Sequence, residues 1–348
     1  MKTLILAAAL ALLAATGVQA KPAHRWGIVV HGGAGVVSRS EMSPALEVAY
    51  RKAMGEALAR GAAVLARHGK ALDAIEAAIT GLEDDPLFNA GRGAVFTAAG
   101  RNELDAAIMD GATLKAGAVA GITRTRNPIS LARAVMEHSP HVMMIGDGAE
   151  AFARAQGIPA VEPAFFFTER RWRDLLADLK EKGLPVPSRP AGAPPEPPAN
   201  VSLLPRDHRF GTVGVAVVDE DGNVAAGTST GGLSAKLYGR VGDTPIIGAG
   251  TYASNASCAV SATGSGEYFI RLTVAREVCA LVQYRHMSLK AAADEVVKKR
   301  LTKLGGEGGV IAAAPDGTLA WSFNTEGMYR ARQTEGGKPV VRIYADEP

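Results

Sequence analysis

Gly211-Thr212-Val213-Gly214-Val215-Ala216-Val217-Val218-Asp219 is the stretch on which the reading of this chain turns. Small and β-branched residues with no intervening charge predict a strand buried on both faces. Asp221-Gly222 supplies a hairpin turn. The returning strand from Val224 runs out in Thr228-Ser229-Thr230-Gly231-Gly232. Upstream, from Gly183 to about Arg209, prolines crowd a segment with no core periodicity, which predicts a mobile extended tail. A hydroxyl behind a glycine, where such a tail becomes a buried strand, is well placed for scission of the Gly211–Thr212 bond. Taken alone the string usually means an ordinary threonine at a strand start, so its surroundings decide.

Outward from that point each half of the chain offers both strands and helices. In the first half, Trp26–Val30 reads as an apolar strand running into a glycine loop, His31-Gly32-Gly33-Ala34-Gly35. The spacing is not that of a dinucleotide fingerprint, and no helix opens directly after it. Ser43 and Pro44 look like the N-cap and first residue of a helix reaching about His68, with a second over Ala71–Leu82. Strands are predicted at Ala94–Ala98, Leu104–Met109, Ala116–Ile122 and His141–Ile145. Further helices follow Asn127-Pro128 and cover Ala149–Gln156 and Glu169–Lys182. In the second half come strands at Ile246–Ala253 and Ala256–Ala262, then a helix from Gly266 to about Gln283 and another from Ser288 to Leu304. A hairpin over Gly309–Asn324 and a strand near Val340–Tyr344 close the chain. Strands apolar on both faces suit sheets packed on one another and covered outside by helices.

With 348 residues, 47% hydrophobic, 21% charged and a formal net charge of +3, the composition is globular and carries no basic, aromatic-rich surface for nucleic acid. Met1-Lys2-Thr3, the apolar run Leu4–Ala15 and Val18-Gln19-Ala20 together read as a cleaved secretory signal over residues 1–20, with a mature start at Lys21. The expected location is therefore secreted or periplasmic, with no further membrane segment. Cys258 and Cys279 lack metal-site spacing. They can pair in an oxidising compartment, but two buried free thiols are the preferred reading.

The residues after Gly211 carry a coherent chemistry. Threonine at a chain N-terminus brings its own base, because an α-amine has a pKa of about 7.7–8. Thr230, on the paired strand, offers a second hydroxyl. Gly239-Arg240-Val241-Gly242-Asp243 places a guanidinium for an α-carboxylate and a carboxylate for an α-ammonium in one flexible loop. Thr263-Gly264-Ser265-Gly266-Glu267, between a strand and a helix, suits an oxyanion hole. In the first half, Glu83 to Gly93 is a dense Gly- and Asn-bearing loop able to present main-chain carbonyls to a cation.

Taken in order, His31–Gly35, Leu82–Gly93, Leu104–Gly121, Ser139–Gly146, Gly211–Gly232, Gly239–Gly250, Thr263–Gly266 and Phe323–Tyr329 resemble the plant-type L-asparaginase/isoaspartyl peptidase group of N-terminal nucleophile (Ntn) hydrolases. The resemblance implies an α+β fold, the four-layer αββα sandwich. It implies autocleavage between Gly211 and Thr212 into an alpha subunit (21–211, with its tail at about 183–210) and a beta subunit (212–348), paired as a dimer of heterodimers. Thr212 would be the nucleophile, oriented by Thr230, with Thr263 and Gly264 as the oxyanion hole and Asn89 as an active-site asparagine. Arg240 and Asp243 would grip the substrate with help from Gly264 and Gly266. The loop at Leu82–Arg92 resembles a sodium loop, with the carbonyls of Leu82, Glu83, Asp85, Phe88, Ala90 and Arg92 as ligands, and His31-Gly32-Gly33 resembles a loop linked to autocleavage. No cofactor is implied for the chemistry. The implied substrates are β-aspartyl dipeptides and L-asparagine. Two other readings are a glycosylasparaginase-like amidase and a secreted amino-acid-binding protein without catalysis.

Overall fold

The computed structural model describes residues 25–35, 39–40, 42–196 and 211–347. The signal-like leader and residues 197–210 lie outside the described residues. Strands β1 (Gly27–Ala34), β2 (Leu104–Asp110), β3 (Ala116–Ile122), β4 (Met143–Ile145), β5 (Val213–Val218) and β6 (Val224–Thr230) belong to one sheet with β11 (Gly327–Thr334) and β12 (Val340–Tyr344), in the order β12-β11-β1-β5-β6-β2-β3-β4. A second sheet runs β10-β9-β8-β7, from Leu319–Phe323, Gly308–Ala313, Ala259–Gly264 and Thr251–Ala253 respectively. Helices α1 (Pro44–Leu65), α2 (Ala71–Glu83), α3 (Pro128–His138) and α4 (Gly146–Ala155) pack on the large sheet; α5 (Glu169–Lys182) closes the first half. Helices α6 (Gly266–Leu272), α7 (Val274–Arg285), α8 (Leu289–Asp294) and α9 (Thr302–Leu304) follow β8, with α7 and α8 against the small sheet. The fold is mixed α/β.

Period-2 alternation explains how the large sheet is buried twice. On β5, Val213, Val215 and Val217 enter the core shared with α1 and α2, with Ala78 and Ile79 among its members. Ala216 and Val218 face the small sheet and meet Ala259 and Ile311. A third core joins the far face of the small sheet, Val260 and Val310, to Val278 and Val297. Small residues dominate between the sheets, so the two backbones approach closely.

Ser43 caps α1 through a 3.2 Å bond from the Leu46 amide, and Ser288 caps α8. Other expectations change. His31–Ala34 is not a loop but the continuation of β1, with a bulge between His31 and Gly33. A Cβ on Gly32 would stand 2.5 Å from the Phe88 ring, so glycine there serves close packing. Residues 94–98 form only isolated bridges, because Thr97 and Gly100 bond within a tight turn. The strand expected from Ile246 begins at Thr251, since the 243–250 backbone closes turns back onto Asp243. The helix expected from Gly266 breaks at left-handed Thr273. There the Ala275 and Arg276 amides bond the carbonyls of Ala249 and Gly248. Strand β11 escaped the sequence reading because Arg330 puts a charged side chain on a face that packs over Trp321 and Phe323 of the other sheet, where an apolar residue is expected. Arg330 is nonetheless buried and donates to the carbonyls of Met328, Ile343 and Tyr344.

The preference for free thiols is overturned: Cys258 and Cys279 form a disulfide, with Cα atoms 5.3 Å apart. The residue before β8 and the middle of α7 are brought within bridging distance by packing, which periodicity along either element does not reveal. The proline-rich segment has no helix or strand through residue 196, but part of it is docked. Arg189 bonds Glu169 at 2.6 Å and sits over the Phe167 ring, and Leu184 and Ala193 pack near Trp172.

Candidate active site

Thr212 stands just before β5, facing the space between the sheets with Gly214 and Ala216. It is 9% exposed, and its Oγ1 donates to Thr230 Oγ1 at 3.0 Å. Thr230 ends β6 on the same face because Thr228 and Thr230 share parity. Its hydroxyl oxygen also accepts the Gly232 amide at 3.0 Å. The expected hydroxyl pair is therefore present, with its geometry held by main chain.

The Gly211 carbonyl accepts the Asn89 amide at 3.1 Å. Asn89 is locked in place: its side chain donates to Gly232 O at 2.8 Å and accepts from Val95 N at 2.9 Å, and its carbonyl accepts from Gly231 N at 3.0 Å. Asn89 thus reaches the site through its main-chain N–H, its side chain being used as a brace. A Cβ on Gly211 would lie 2.8 Å from Asn89 Cβ, so this approach requires glycine.

A small cleft opens beside Thr212, lined by Thr212, Thr230, Leu233, Arg240, Asp243 and Gly264 among others. Asp243 is buried, and one carboxylate oxygen, Oδ2, has no hydrogen-bond partner among the described residues. Burial pushes its carboxyl up to about 7. Arg240 and Asp243 do not pair with each other through a salt bridge. Arg240 Nε and Nη2 instead hold the Glu267 carboxylate at 2.9 and 3.0 Å, in the first turn of α6. A Cβ on Gly266 would fall 2.7 Å from Arg240 Nη2 and 2.9 Å from Asp243 Oδ1. Gly266 therefore acts by leaving room for both side chains.

Gly264 reaches the cleft at φ 152°, and a Cβ there would lie 2.3 Å from Glu307 O. Thr263, completely buried on β8, accepts the Ala34 amide at 3.4 Å. Thr212 with Thr230 thus comes from the large sheet, Thr263 with Gly264 from the small one, and Arg240 with Asp243 from the loop between them. Two neighbours went unnoticed in the sequence. Glu267 was visible only as the end of the Thr263–Glu267 string. Lys236 lies in the short run between Thr230 and Arg240; it is buried, bonds Glu103 O at 2.8 Å, and its ammonium pKa is lowered by burial.

The Leu82–Arg92 residues run from the last turn of α2 into the loop that follows it. Gly91 and Gly93 bring the backbone close: Cβ atoms there would lie 2.3 Å from Glu83 O, and 2.0 and 2.7 Å from Phe88 O and Pro86 O. The carbonyls of Leu82, Asp85 and Ala90 accept turn bonds from Asp85, Phe88 and Gly93. Among the described residues no cluster of three or more His, Cys, Asp or Glu side chains forms a metal site. No helix of the described residues is long and apolar enough to cross a membrane.

A family model described as Asparaginase matches residues 24–343. The chain is 50% identical over 320 residues to an isoaspartyl peptidase of Escherichia coli (strain K12), covering 92% of this chain and 96% of that protein. It is 42% identical over 330 residues to a probable isoaspartyl peptidase/L-asparaginase 2 of Arabidopsis thaliana, covering 92% and 99%. A plant-type L-asparaginase of Pyrococcus furiosus is 42% identical over 317 residues, covering 89% and 97%.

Proposed function

The chain belongs to the asparaginase family, and from that premise we propose that it is an autoprocessing N-terminal threonine hydrolase. It cleaves β-aspartyl (isoaspartyl) peptides and hydrolyses L-asparagine to L-aspartate and ammonia. The observation that carries this is the junction itself: a buried Thr212 hydroxyl bonded to Thr230, with the preceding Gly211 carbonyl held by the Asn89 amide. We read the two facing sheets with helices on both outer sides as the αββα sandwich of the Ntn hydrolases.

Maturation proceeds by attack of Thr212 Oγ1 on the Gly211 carbonyl carbon. The Asn89 N–H, already on that oxygen, takes the developing negative charge. The C–N bond breaks as the acyl group passes from nitrogen to oxygen, the hydroxyl proton ends on that nitrogen, and water hydrolyses the ester. Gly211 becomes a carboxylate and Thr212 a free α-amine. In the mature enzyme that amine accepts the hydroxyl proton as Thr212 Oγ1 attacks the β-carbonyl of the substrate. Arg240 holds the α-carboxylate, Asp243 the α-ammonium, and Thr263 with Gly264 the oxyanion. Ammonia or an amino acid leaves with a proton, and water then releases aspartate from the ester. Asparagine and β-aspartyl peptides share the gripped end, so one cleft serves both.

The glycine-enabled close packing at the Glu83 and Phe88 carbonyls supports a structural sodium ion held by the main-chain carbonyls of Leu82, Glu83, Asp85, Phe88, Ala90 and Arg92, with the chemistry itself needing no cofactor. The disulfide supports a secreted or periplasmic location after removal of residues 1–20. Pairing of heterodimers belongs to the same reading. Denaturing mass measurement tests it: wild type should yield Lys21–Gly211 and Thr212–Pro348, and Thr212→Ala a single uncleaved chain. An uncleaved wild type that binds asparagine without turnover would establish a binding protein instead.

A further inference from the structure

One level below the catalytic hydroxyls lies a second polar layer. His31 Nε2 is 2.9 Å from Ser261 Oγ; Ser261 Oγ is 2.7 Å from Thr228 Oγ1; Thr251 Oγ1 lies 2.7 Å from Thr228 Oγ1 and 3.2 Å from Thr244 O, within hydrogen-bond reach of both. His31, Thr228, Thr251 and Ser261 are wholly buried. They come from β1, β6, β7 and β8, so the chain of bonds crosses from the large sheet to the small one. Each lies at a telling place: Thr228 is two residues before Thr230, Ser261 two before Thr263, and Thr244 directly after Asp243. Below them the space between the sheets is apolar, with Ala216, Ala226, Ala259 and Ile311.

Apolar contacts between sheets tolerate sliding, whereas hydrogen bonds of 2.7–2.9 Å are directional. The proposed site is assembled from both sheets and a loop, and displacement by about 1 Å can cost roughly 100-fold in rate. Gly214 marks how closely the layer is fitted: a Cβ there would stand 1.9 Å from Ser261 Oγ and 2.4 Å from His31 Nε2. Burial also pushes the His31 ring down to about 3, against a smaller opposing effect of the Thr212 main chain, so the ring stays neutral in the layer.

We propose that His31, Ser261, Thr228 and Thr251 are positioning residues that lock the two sheets in register, setting Thr212 against Thr263–Gly264 and anchoring the Asp243 loop. This rests on the hydrolase reading above and adds residues that do not touch substrate. The layer divides into two functional links. Ser261 ties the oxyanion strand to β1 and β6, so its loss falls on the chemical step. Thr251 ties β7 to the carbonyl beside Asp243, so its loss falls on substrate binding.

The test uses the full chain and β-aspartyl dipeptide hydrolysis, with rates normalised to the cleaved fraction. Ser261→Ala should lower kcat about 10- to 100-fold with KM within about two-fold. Thr251→Val should raise KM more than it lowers kcat. Thr228→Val should lose activity that Thr228→Ser, which keeps the hydroxyl, retains. Wild-type constants in cleaved Ser261→Ala and Thr251→Val would overturn the layer, as would equal impairment of Thr228→Ser and Thr228→Val. An inactive wild type would refute the hydrolase reading as well, a result distinct from an active wild type matched by its variants.

Discussion

Replacing Asp243 with Asn removes a charge and almost no volume. The residue is 6% exposed, and its Oδ2 has no partner among the described residues, so in the free protein it is a buried acceptor facing the cleft. A hydrogen bond to a charged partner contributes about 1.5–3 kcal/mol. At about 1.4 kcal/mol per decade, Asp243→Asn should lower kcat/KM roughly 10- to 150-fold, mostly through KM. The pH dependence sharpens this. Burial raises the Asp243 carboxyl to about 7, and only its ionised form holds an ammonium group. In the proposed mechanism the Thr212 α-amine, a group that ordinarily titrates at about 7.7–8, must also be neutral. Both requirements make kcat/KM rise with pH, and this parameter reports the free enzyme. Below about pH 6.5, log kcat/KM should therefore climb with a slope approaching two in the wild type and one in Asp243→Asn. The assay is a pH series of initial rates for asparagine and a β-aspartyl dipeptide. An unchanged KM, or the same slope in both proteins, would refute the assignment.

Other expectations are simpler. Glu267→Gln should raise KM roughly 3- to 10-fold with kcat unchanged, because the bidentate contact that orients Arg240 is lost at a half-exposed position; initial-rate kinetics read it directly. Reducing the Cys258–Cys279 bond, or replacing both residues with Ala, closes one loop fewer across a separation of 21 residues. The expected loss is about 3 kcal/mol, measured by denaturant unfolding. Burial raises the Glu83 carboxyl to about 8, although Ser229 and Ile129 bond it. Between its unfolded value and about 8 the native state holds a proton that the unfolded state has released, so this residue makes stability fall as pH rises. Glu83→Gln should flatten that contribution, up to about 1.4 kcal/mol per pH unit, in unfolding curves taken between pH 5 and 8.

What the sequence determined by itself is what repeats locally. The uncharged small and β-branched runs at Val213–Val218 and Val224–Thr230, joined by Asp221-Gly222, foretold a strand pair that carries Thr212 and Thr230. Ser43 and Ser288 announced helix starts, and the strings around Arg240 and Thr263 were legible because rare residue types stand at short, definite spacings. Tertiary structure decided what depends on distances between remote elements. His31 and Ser261 are 230 residues apart in the chain yet in hydrogen-bond contact. The glycine run became strand because β11 pairs with it, and buried Arg330 disguised that partner. The cysteines joined because α7 packs on β8, and the Arg240 fork went to Glu267 because α6 starts beside it. Period and capping act over a few residues. Strand pairing, cross-linking and a site built across two sheets are set by packing that no local pattern carries.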